Sequence, residues 1–513
     1  MADNNEQAHA STDSSPFAGL GEAEKRILSY AAAMGKEFDF SVLAAVVEMG
    51  EEPLAELLEQ LVHHGILSEL KGGDVYAFAR MDTLAQAYRD ISSSRLRVIH
   101  KKIAEAYEKL NPDPAPDIIP EMGRHFYLGR VHDKSLLYNR YAARLAMSAF
   151  SPDVAIRYLE RVKEDLAAIP GDHSVEEAVT LKEMGEQYES MGDNARADEL
   201  YGESLGKLPE GEITLRGLLL ISRAEAARET DKLDLARQTC EEAIRLLEKV
   251  GHRKGLAMAH RSLGRASFRQ GNLEDGRKEI EKTIELLDPV ESAKEVAGCY
   301  IDLGNVYAEV DDPIEHLKTF EFYTKAIEIL EPLHDYNELA RAHNNLALAM
   351  MPDHAQEAIE HIMTARGISE KSKDRRGAGW WRFNSVEIRL ALGQVEEAIQ
   401  DNEEAGKILT LVTDPFGVQQ VSLNRGIIAQ HRKLNEEAEK AYLDSIRRAE
   451  ALNYPSVIVE TLVHLASLYL EWGRKEDAAK AMAHIKELGE ERVYHALKDM
   501  YNALKVKISG TPG

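Results

Sequence analysis

The sequence predicts an all-α protein: a solenoid of about eight or nine antiparallel helix pairs behind a small N-terminal module of a different kind. Three observations predict it. A residue, small in all but one case, recurs at Ala143, Gly185, Ala224, Gly264, Gly304, Ala347, Val386, Gly426 and Ala466, in steps of 39 to 43 residues. Twelve positions later comes another small residue, at Ala155, Ala197, Ala236, Gly276, Ala398, Ala438 and Ala478. The composition is dominated by strong helix formers, with few aromatics. At 513 residues the chain is too long for one ordinary core, which a repeat array resolves.

The first segment, 1–18, is polar and rich in Ser, Asn and Asp, and is expected to be a disordered tail without an apolar signal core. Residues 19–112 lack the repeat. Helical runs at Ala23–Met34, Ser41–Met49 and Pro53–His64 are followed by two short strand-like runs, Ile66–Glu69 and Val75–Phe78, around Gly72-Gly73. Three helices and a hairpin describe a winged-helix-like layout. The phrases Ala32-Ala33-Met34-Gly35-Lys36-Glu37-Phe38, Leu58-x-x-Leu61-Val62-x-x-Gly65-Ile66-Leu67, Tyr76-Ala77-Phe78 and Arg95-Leu96-Arg97-Val98-Ile99-His100 resemble one such module. It links the nucleotide-binding domain to the repeats in multidomain signal-transduction ATPases, the class that includes the maltose-type transcription activators. Arg80 stands where those modules commonly carry His.

An ATPase domain is not expected within these residues. Its phosphate-cradling loop needs Gly-x-x-x-x-Gly-Lys-Ser/Thr, and the Gly-Lys pairs at Gly35, Gly206 and Gly406 have neither the earlier glycine nor the following hydroxyl. DNA binding is not expected either. The third helix carries Glu51, Glu52, Glu56 and Glu59 with no Lys or Arg, and the chain bears a formal charge of −25. The basic cluster Arg95, Arg97, Lys101 and Lys102 is followed by Glu105 and Glu108 and reads as a solvated or inter-domain face.

The array is placed at 113–490. Where the two helices of a pair cross, a small side chain lets the backbones approach to about 8–10 Å. Turns at Met191-Gly192-Asp193, Gln270-Gly271-Asn272, Leu392-Gly393-Gln394 and Trp472-Gly473-Arg474 end the first helix of a pair on glycine. With Leu263-Gly264, Leu303-Gly304 and Tyr307, and Leu465-Ala466 and Tyr469, these residues resemble the tetratricopeptide repeat in a longer, roughly 40-residue form. The resemblance runs from about Leu136 to Leu488 and implies a right-handed superhelix. Two units depart from the pattern: an insertion around Asp311-Asp312-Pro313 delays the matching Ala326, and a shortened turn at Met351-Pro352-Asp353 advances Ala358. Residues 491–513 are expected to form a capping helix and tail.

No catalytic motif stands out, so an enzyme is not expected, and neither is a cofactor. His354, Glu357 and His361 share a helical face but lack a fourth ligand, so no metal site is assigned. Cys240 and Cys299 form no Cys-x-x-Cys pair, and no apolar run approaches membrane-spanning length; a cytoplasmic protein away from membranes is expected.

The repeat resemblance places groove-facing positions on the first helix of each pair. They fall at Arg261, Arg265, Arg269, Asn305, Arg341 and Asn344, with Asn345 beside them, and at Trp380 and Phe383 one unit on. Two readings stand. The arginines and amides bind a protein or peptide that is acidic or ends in a free carboxylate, with the aromatics taking an anchor side chain. Alternatively they pair with neighbouring glutamates, and Trp380 and Trp381 belong to the core. The functional expectation is a non-catalytic interaction scaffold or adaptor. The alternative is a signalling or transcription regulator related to those ATPases, acting through its winged helix or sensing a small ligand. A homo-oligomer remains open.

Overall fold

A computed structural model of the chain describes residues 17, 19–149, 151–310, 312–351, 353–493 and 495–509. The expected tail at 1–18, apart from Phe17 and the residues from 19 on, lies outside them, as do Asp311, Pro352 and residues 510–513. The chain divides into two compact units, Met1–Thr180 and Leu181–Gly513.

The first unit begins with α1 (Glu22–Met34), β1 (Glu37–Asp39), α2 (Phe40–Val47), α3 (Glu51–His63), β2 (Leu67–Leu70) and β3 (Val75–Phe78). Glu22 and Glu24 occupy the positive end of α1, and Glu24 accepts a hydrogen bond from the Gly21 amide at 2.6 Å. The strands form one antiparallel sheet in the order β1-β3-β2. Sequence periodicity finds β2 and β3 but misses β1, whose three residues are too few to show an alternation. Pairing makes the strand: Phe38 lies opposite Tyr76, ring on ring at 6.1 Å. Gly72 and Gly73, both at positive φ, turn the chain between β2 and β3. On α3, Leu54, Leu58 and Leu61 are buried, while Glu51, Glu52, Glu56 and Glu59 face out.

Next come α4 (Met81–Arg89), α5 (Ser93–Leu110), α6 (Ile119–Leu128), α7 (His132–Ser148) and α8 (Pro152–Ala168). Ile99 and Ile103 of α5 join the core of the module. Ala143 on α7 and Ala155 on α8 are buried where these two helices pack.

The boundary between the units falls within α9 (Ser174–Ser190). In the second unit its end pairs with α10 (Asn194–Lys207). The array continues as α11 (Ile213–Glu229) with α12 (Leu233–Lys249), and α13 (Arg253–Arg269) with α14 (Leu273–Leu286). Then α15 (Ala293–Ala308) pairs, past the single turn α16 (Pro313–His316), with α17 (Lys318–Leu333). After these come α18 (Tyr336–Ala349) with α19 (Ala355–Ser372), and α20 (Arg375–Ala391) with α21 (Val395–Leu411). The last pairs are α22 (Pro415–His431) with α23 (Asn435–Leu452), and α24 (Pro455–Glu471) with α25 (Lys475–Leu488); α26 (His495–Ser509) packs on both helices of the last pair.

The small residues sit at the crossings. A Cβ on Gly264 would lie 3.0 Å from the Gly276 carbonyl oxygen, and a Cβ on Gly276 equally close to that of Gly264. At Gly185, Gly304 and Gly426 the glycine instead faces a tyrosine ring, of Tyr201, Tyr323 and Tyr442. The space a missing side chain leaves is filled there by an aromatic from the partner helix. Both departures noted in the sequence leave the helices intact, since Ala326 and Ala358 remain fully buried.

The turns repeat one device. The amides of Asp193, Asn272, Gln394 and Arg474 each donate back to the carbonyl five residues earlier, of Tyr188, Ser267, Arg389 and Tyr469, past a glycine at positive φ. Asp231 and Lys433 hold that same place at φ 58° and 60° without being glycine, so glycine spacing alone misses those two turns. This is a tetratricopeptide-like helical-repeat fold.

Candidate partner-binding face of the repeat array

In the second unit the first helices of successive pairs pack side by side: α11 on α13, α13 on α15, α15 on α18, α18 on α20, α20 on α22 and α22 on α24. The predicted site residues lie on this layer, and the structure gives each a neighbour.

On α11 and α13 the arginines at the middle of the layer face carboxylates, one of them Asp302 of α15. Arg261 donates through Nε to Asp302 at 2.6 Å, and Arg265 donates to Glu225 at 3.1 Å while lying 3.8 Å from Asp302. Arg228 donates to Glu225 at 2.7 Å and pairs with Glu229 at 2.6 Å. Arg269 comes only to 4.0 Å from Asp231, and Arg341 on α18 donates to Glu338 at 2.5 Å. Space for the Arg261 contact comes from Gly298, where a Cβ would stand 2.5 Å from the guanidinium.

Asp302 is 4% exposed. Burial would raise its pKa, but Arg261 and Arg265 outweigh it and hold the carboxyl below its ordinary value. Glu225 behaves likewise, desolvated yet held low by Arg265 and Arg228. The fixed guanidinium charge makes this possible.

The amides form a ladder. Asn305 Oδ1 accepts from Tyr323 Oη at 2.6 Å and from Asn345 Nδ2 at 2.9 Å; Asn345 Oδ1 accepts from Asn344 at 3.1 Å; Asn344 Oδ1 accepts from Asn384 at 2.8 Å. Asn424 continues the series, donating to the Phe383 carbonyl at 2.8 Å. Asn384 and Asn424 were absent from the sequence-derived set. Their signal was present, since Asn345, Asn384 and Asn424 each stand two residues before the recurring position of their repeat.

Trp380 and Phe383 lie in an aromatic cluster rather than alone on a surface. The Trp380 indole donates to Asp414 at 2.8 Å, and its ring lies 5.1 Å from Phe383 and 5.5 Å from Phe416, which in turn meets Tyr454 at 5.3 Å. Phe383 is 7% exposed, while Trp380 keeps a partly open edge. Trp381 donates to Ser369 at 2.7 Å.

On α20 and α24 the carboxylates have no counter-cation among the described residues. Glu387 is exposed, and desolvation by the surrounding wall raises its pKa. Desolvation also pushes Glu460 up to about 7, against a hydrogen bond from Gln420 at 3.4 Å and with Glu387 adding repulsion. His464, one turn on, is lowered to about 4 by burial. Two apolar side chains stay open on first helices of the other half: Met258 on α13 and Leu348 on α18.

The first unit holds a separate cavity of about 690 Å³ between α4, α5, α6 and α8. His132 Nδ1 meets Asp165 Oδ1 at 2.8 Å there, and Ser135 donates to the other oxygen of Asp165 at 2.5 Å. Because the serine donates to the carboxylate and not to the imidazole, this trio is not arranged as a nucleophilic triad. Elsewhere in the unit Lys102 pairs with Glu48 at 2.8 Å, Lys101 with Glu105 at 3.8 Å, and Arg80 with Asp82 at 2.5 Å, while Arg95 and Arg97 are exposed.

His361, part of the His354, Glu357 and His361 face, meets His343 at 2.9 Å through Nδ1 of each ring. Among the described residues no group of three His, Cys, Asp or Glu is arranged to hold a metal ion, and no helix is long and apolar enough to cross a membrane.

No family model and no curated protein matches this chain. A Rap protein complexed with competence and sporulation factor is similar in structure, at 14% identity over 70% of this chain and 98% of that one, with a TM-score of 0.52. That likeness shows a shared fold. Two weaker ones carry no argument. A signal-transduction ATPase with a tetratricopeptide repeat sensor, from Pyrococcus horikoshii, reaches 14% identity and a TM-score of 0.41 over 95% of this chain and 66% of that one. Aspartyl phosphate phosphatase F from Bacillus subtilis reaches 14% and 0.45 over 68% and 92%.

Proposed function

We propose that this chain is a non-catalytic adaptor whose repeat array holds a protein or peptide along the face of its first helices. The amide ladder carries the reading. An Asn amide has two N–H donors and a carbonyl with two lone pairs, so Asn305, Asn345 and Asn384 keep hydrogen-bonding capacity beyond the bonds they make within the ladder. Amides in series on neighbouring helices suit an extended backbone, which offers the same donors and acceptors. The open Met258 and Leu348 side chains add apolar contact beside them.

The expected preference for an acidic or carboxylate-bearing partner is weaker support for the reading, because Arg261, Arg265 and Arg341 already face carboxylates. A partner would gain from them only by competing with those pairs. The fully buried, unpaired thiols of Cys240 and Cys299 suit a reducing compartment such as the cytoplasm.

A regulator reading is favoured by one specific observation. The N-terminal order helix, strand, helix, helix, strand, strand is the order of a winged helix, and domain bounds of 19–112 for that module and 113–490 for the array go with it. The outward glutamates of α3 make DNA a poor ligand, so such a module would work through protein contacts. Retardation of duplex DNA at low salt would speak for a nucleic-acid role instead.

Met258→Glu and Leu348→Glu change exposed side chains and should leave thermal unfolding as in the wild type. Affinity capture from lysate with the doubly substituted chain should lose partners that the wild type retains. An unchanged partner set would remove the groove from the account.

A further inference from the structure

We propose that a cavity at the edge of the array in the second unit binds a small zwitterion of the α-amino-acid class, a function beyond holding a protein or peptide, at a site that shares Arg269 with the partner face. The cavity, of about 590 Å³, lies where the turns after α11 and α13 meet the start of α24 and the segment leading into α26. Residues more than 220 positions apart in the chain close it: Asp231 Oδ2 accepts from Arg492 at 2.7 Å and from Ser456 at 3.4 Å.

Two buried acceptors in its lining go unused. The Asp231 side chain is 4% exposed, and its Oδ1 accepts no hydrogen bond among the described residues. Gln270 donates through Nε2 to Asp234 at 3.0 Å, which fixes the amide's orientation, yet its buried Oε1 accepts none. Buried acceptors left this way cost stability, and two of them stand together in this one cavity. Beside them Arg269 stops at 4.0 Å from Asp231 Oδ1, beyond hydrogen-bond reach. The cavity wall thus holds acceptors that lack N–H partners, which a small shift of the Asp231 and Gln270 side chains would open to a ligand, and a guanidinium fork that suits a carboxylate.

Four basic side chains face three acidic ones across the lining. A lone cation would meet Arg269 and Arg492, and a lone anion would meet Asp231 and Asp234 while leaving the acceptors empty. A compact molecule carrying both an ammonium and a carboxylate satisfies each side: the ammonium donates to Asp231 Oδ1 and Gln270 Oε1, and the carboxylate accepts from Arg269. Phe268 and Leu273 supply an apolar patch for the ligand's side chain. Because the ligand would touch two turns and lie beside the Arg492 contact, its binding would fasten the end of the array to its earlier turns.

The test is thermal unfolding of the full chain with each of the twenty L-amino acids, their N-acetyl forms and their methyl esters, at about 10 mM. Binding in the range of 100 µM would raise the midpoint by a few degrees. At least one free amino acid should do so, its two blocked forms should not, and Arg269→Gln and Gln270→Leu should each abolish the rise. Arg269→Lys, which keeps the charge but loses the fork, should restore part of it. No shift from any free amino acid would overturn the proposal. So would an equal shift from an N-acetyl form, which marks a chain terminus as the ligand, or a full shift in the Arg269→Gln chain.

Discussion

Helices α11, α13, α15 and α18 hold the same place in the repeat as α20, α22 and α24, but their polar chemistry differs in kind. In the earlier group each carboxylate named on the layer has an arginine within reach, and Asp302 and Glu225 are held ionised. In the later group Glu387 and Glu460 have no cation, and their pKa values move up. A repeat dictates where side chains go and not what they are. The shared part is the crossing of each pair; the free part is the layer of first helices, where one array can carry a rigid charge network and a stretch open to titration.

The largest expected effect would come from breaking the charge network. Asp302→Ala leaves the half-buried Arg261 without its counter-charge and Arg265 with Glu225 alone, and should cost about 3 kcal/mol in denaturant unfolding. Glu387→Ala, on a first helix of the later group, should cost nothing measurable. Equal costs would erase the contrast between the groups.

Crossings should respond alike in both. Gly264→Leu and Gly426→Leu each push a side chain into the partner helix, against Gly276 and Ile280 in one case and Tyr442 in the other, and should each destabilise by about 1–3 kcal/mol. A change that leaves thermal unfolding untouched at either site would mean the helix register is misplaced there.

The smallest effect is a difference in pH response. Glu460 has a folded pKa of about 7, above its ordinary value of 4.5, so the folded state prefers it protonated. Its contribution is fully present below pH 4.5 and is lost as pH rises through about 7. Glu460→Gln should therefore stabilise the chain at pH 8, by on the order of 1 kcal/mol given its partial exposure, and make little difference near pH 4. The comparison has to be made against the wild type at each pH. His464 runs the other way, because its folded pKa of about 4 withdraws stability as pH falls from 6.5. A Gln variant with no gain at pH 8 would place Glu460 in an ordinary solvated setting.

Much of the fold was legible because the constraint on it is local and periodic. Gly264 and Gly276 meet as their twelve-residue spacing predicts, and Gly192, Gly271, Gly393 and Gly473 all adopt the positive φ that a helix-ending turn needs. Where the constraint is met by other means the pattern falls silent. Asp231 and Lys433 make the same turn without glycine, Tyr323 fills the crossing at Gly304 with a ring, and β1 becomes a strand only by lying against β3.

The candidate site was legible in position and not in state. Arg261, Arg265, Arg269 and Arg341 lie on the layer of first helices as the register requires, while their carboxylate neighbours come from 37 to 41 residues away, or from one turn away, with nothing in the spacing to select between partner and ligand. Asn344 and Phe383, expected to face a partner, are 4% and 7% exposed, because adjoining first helices close over them.

By itself the sequence determined the helix pairs, their period and the sites where they cross, since each follows from one residue's size or backbone freedom. Only the tertiary structure decided which charges are neutralised, which carboxylates are stranded, and that Asp231 meets Arg492 across 261 positions. Those outcomes depend on distances between helices remote in the chain, and a Coulomb or hydrogen-bond energy is set by such distances and the surrounding desolvation, neither of which a linear pattern encodes.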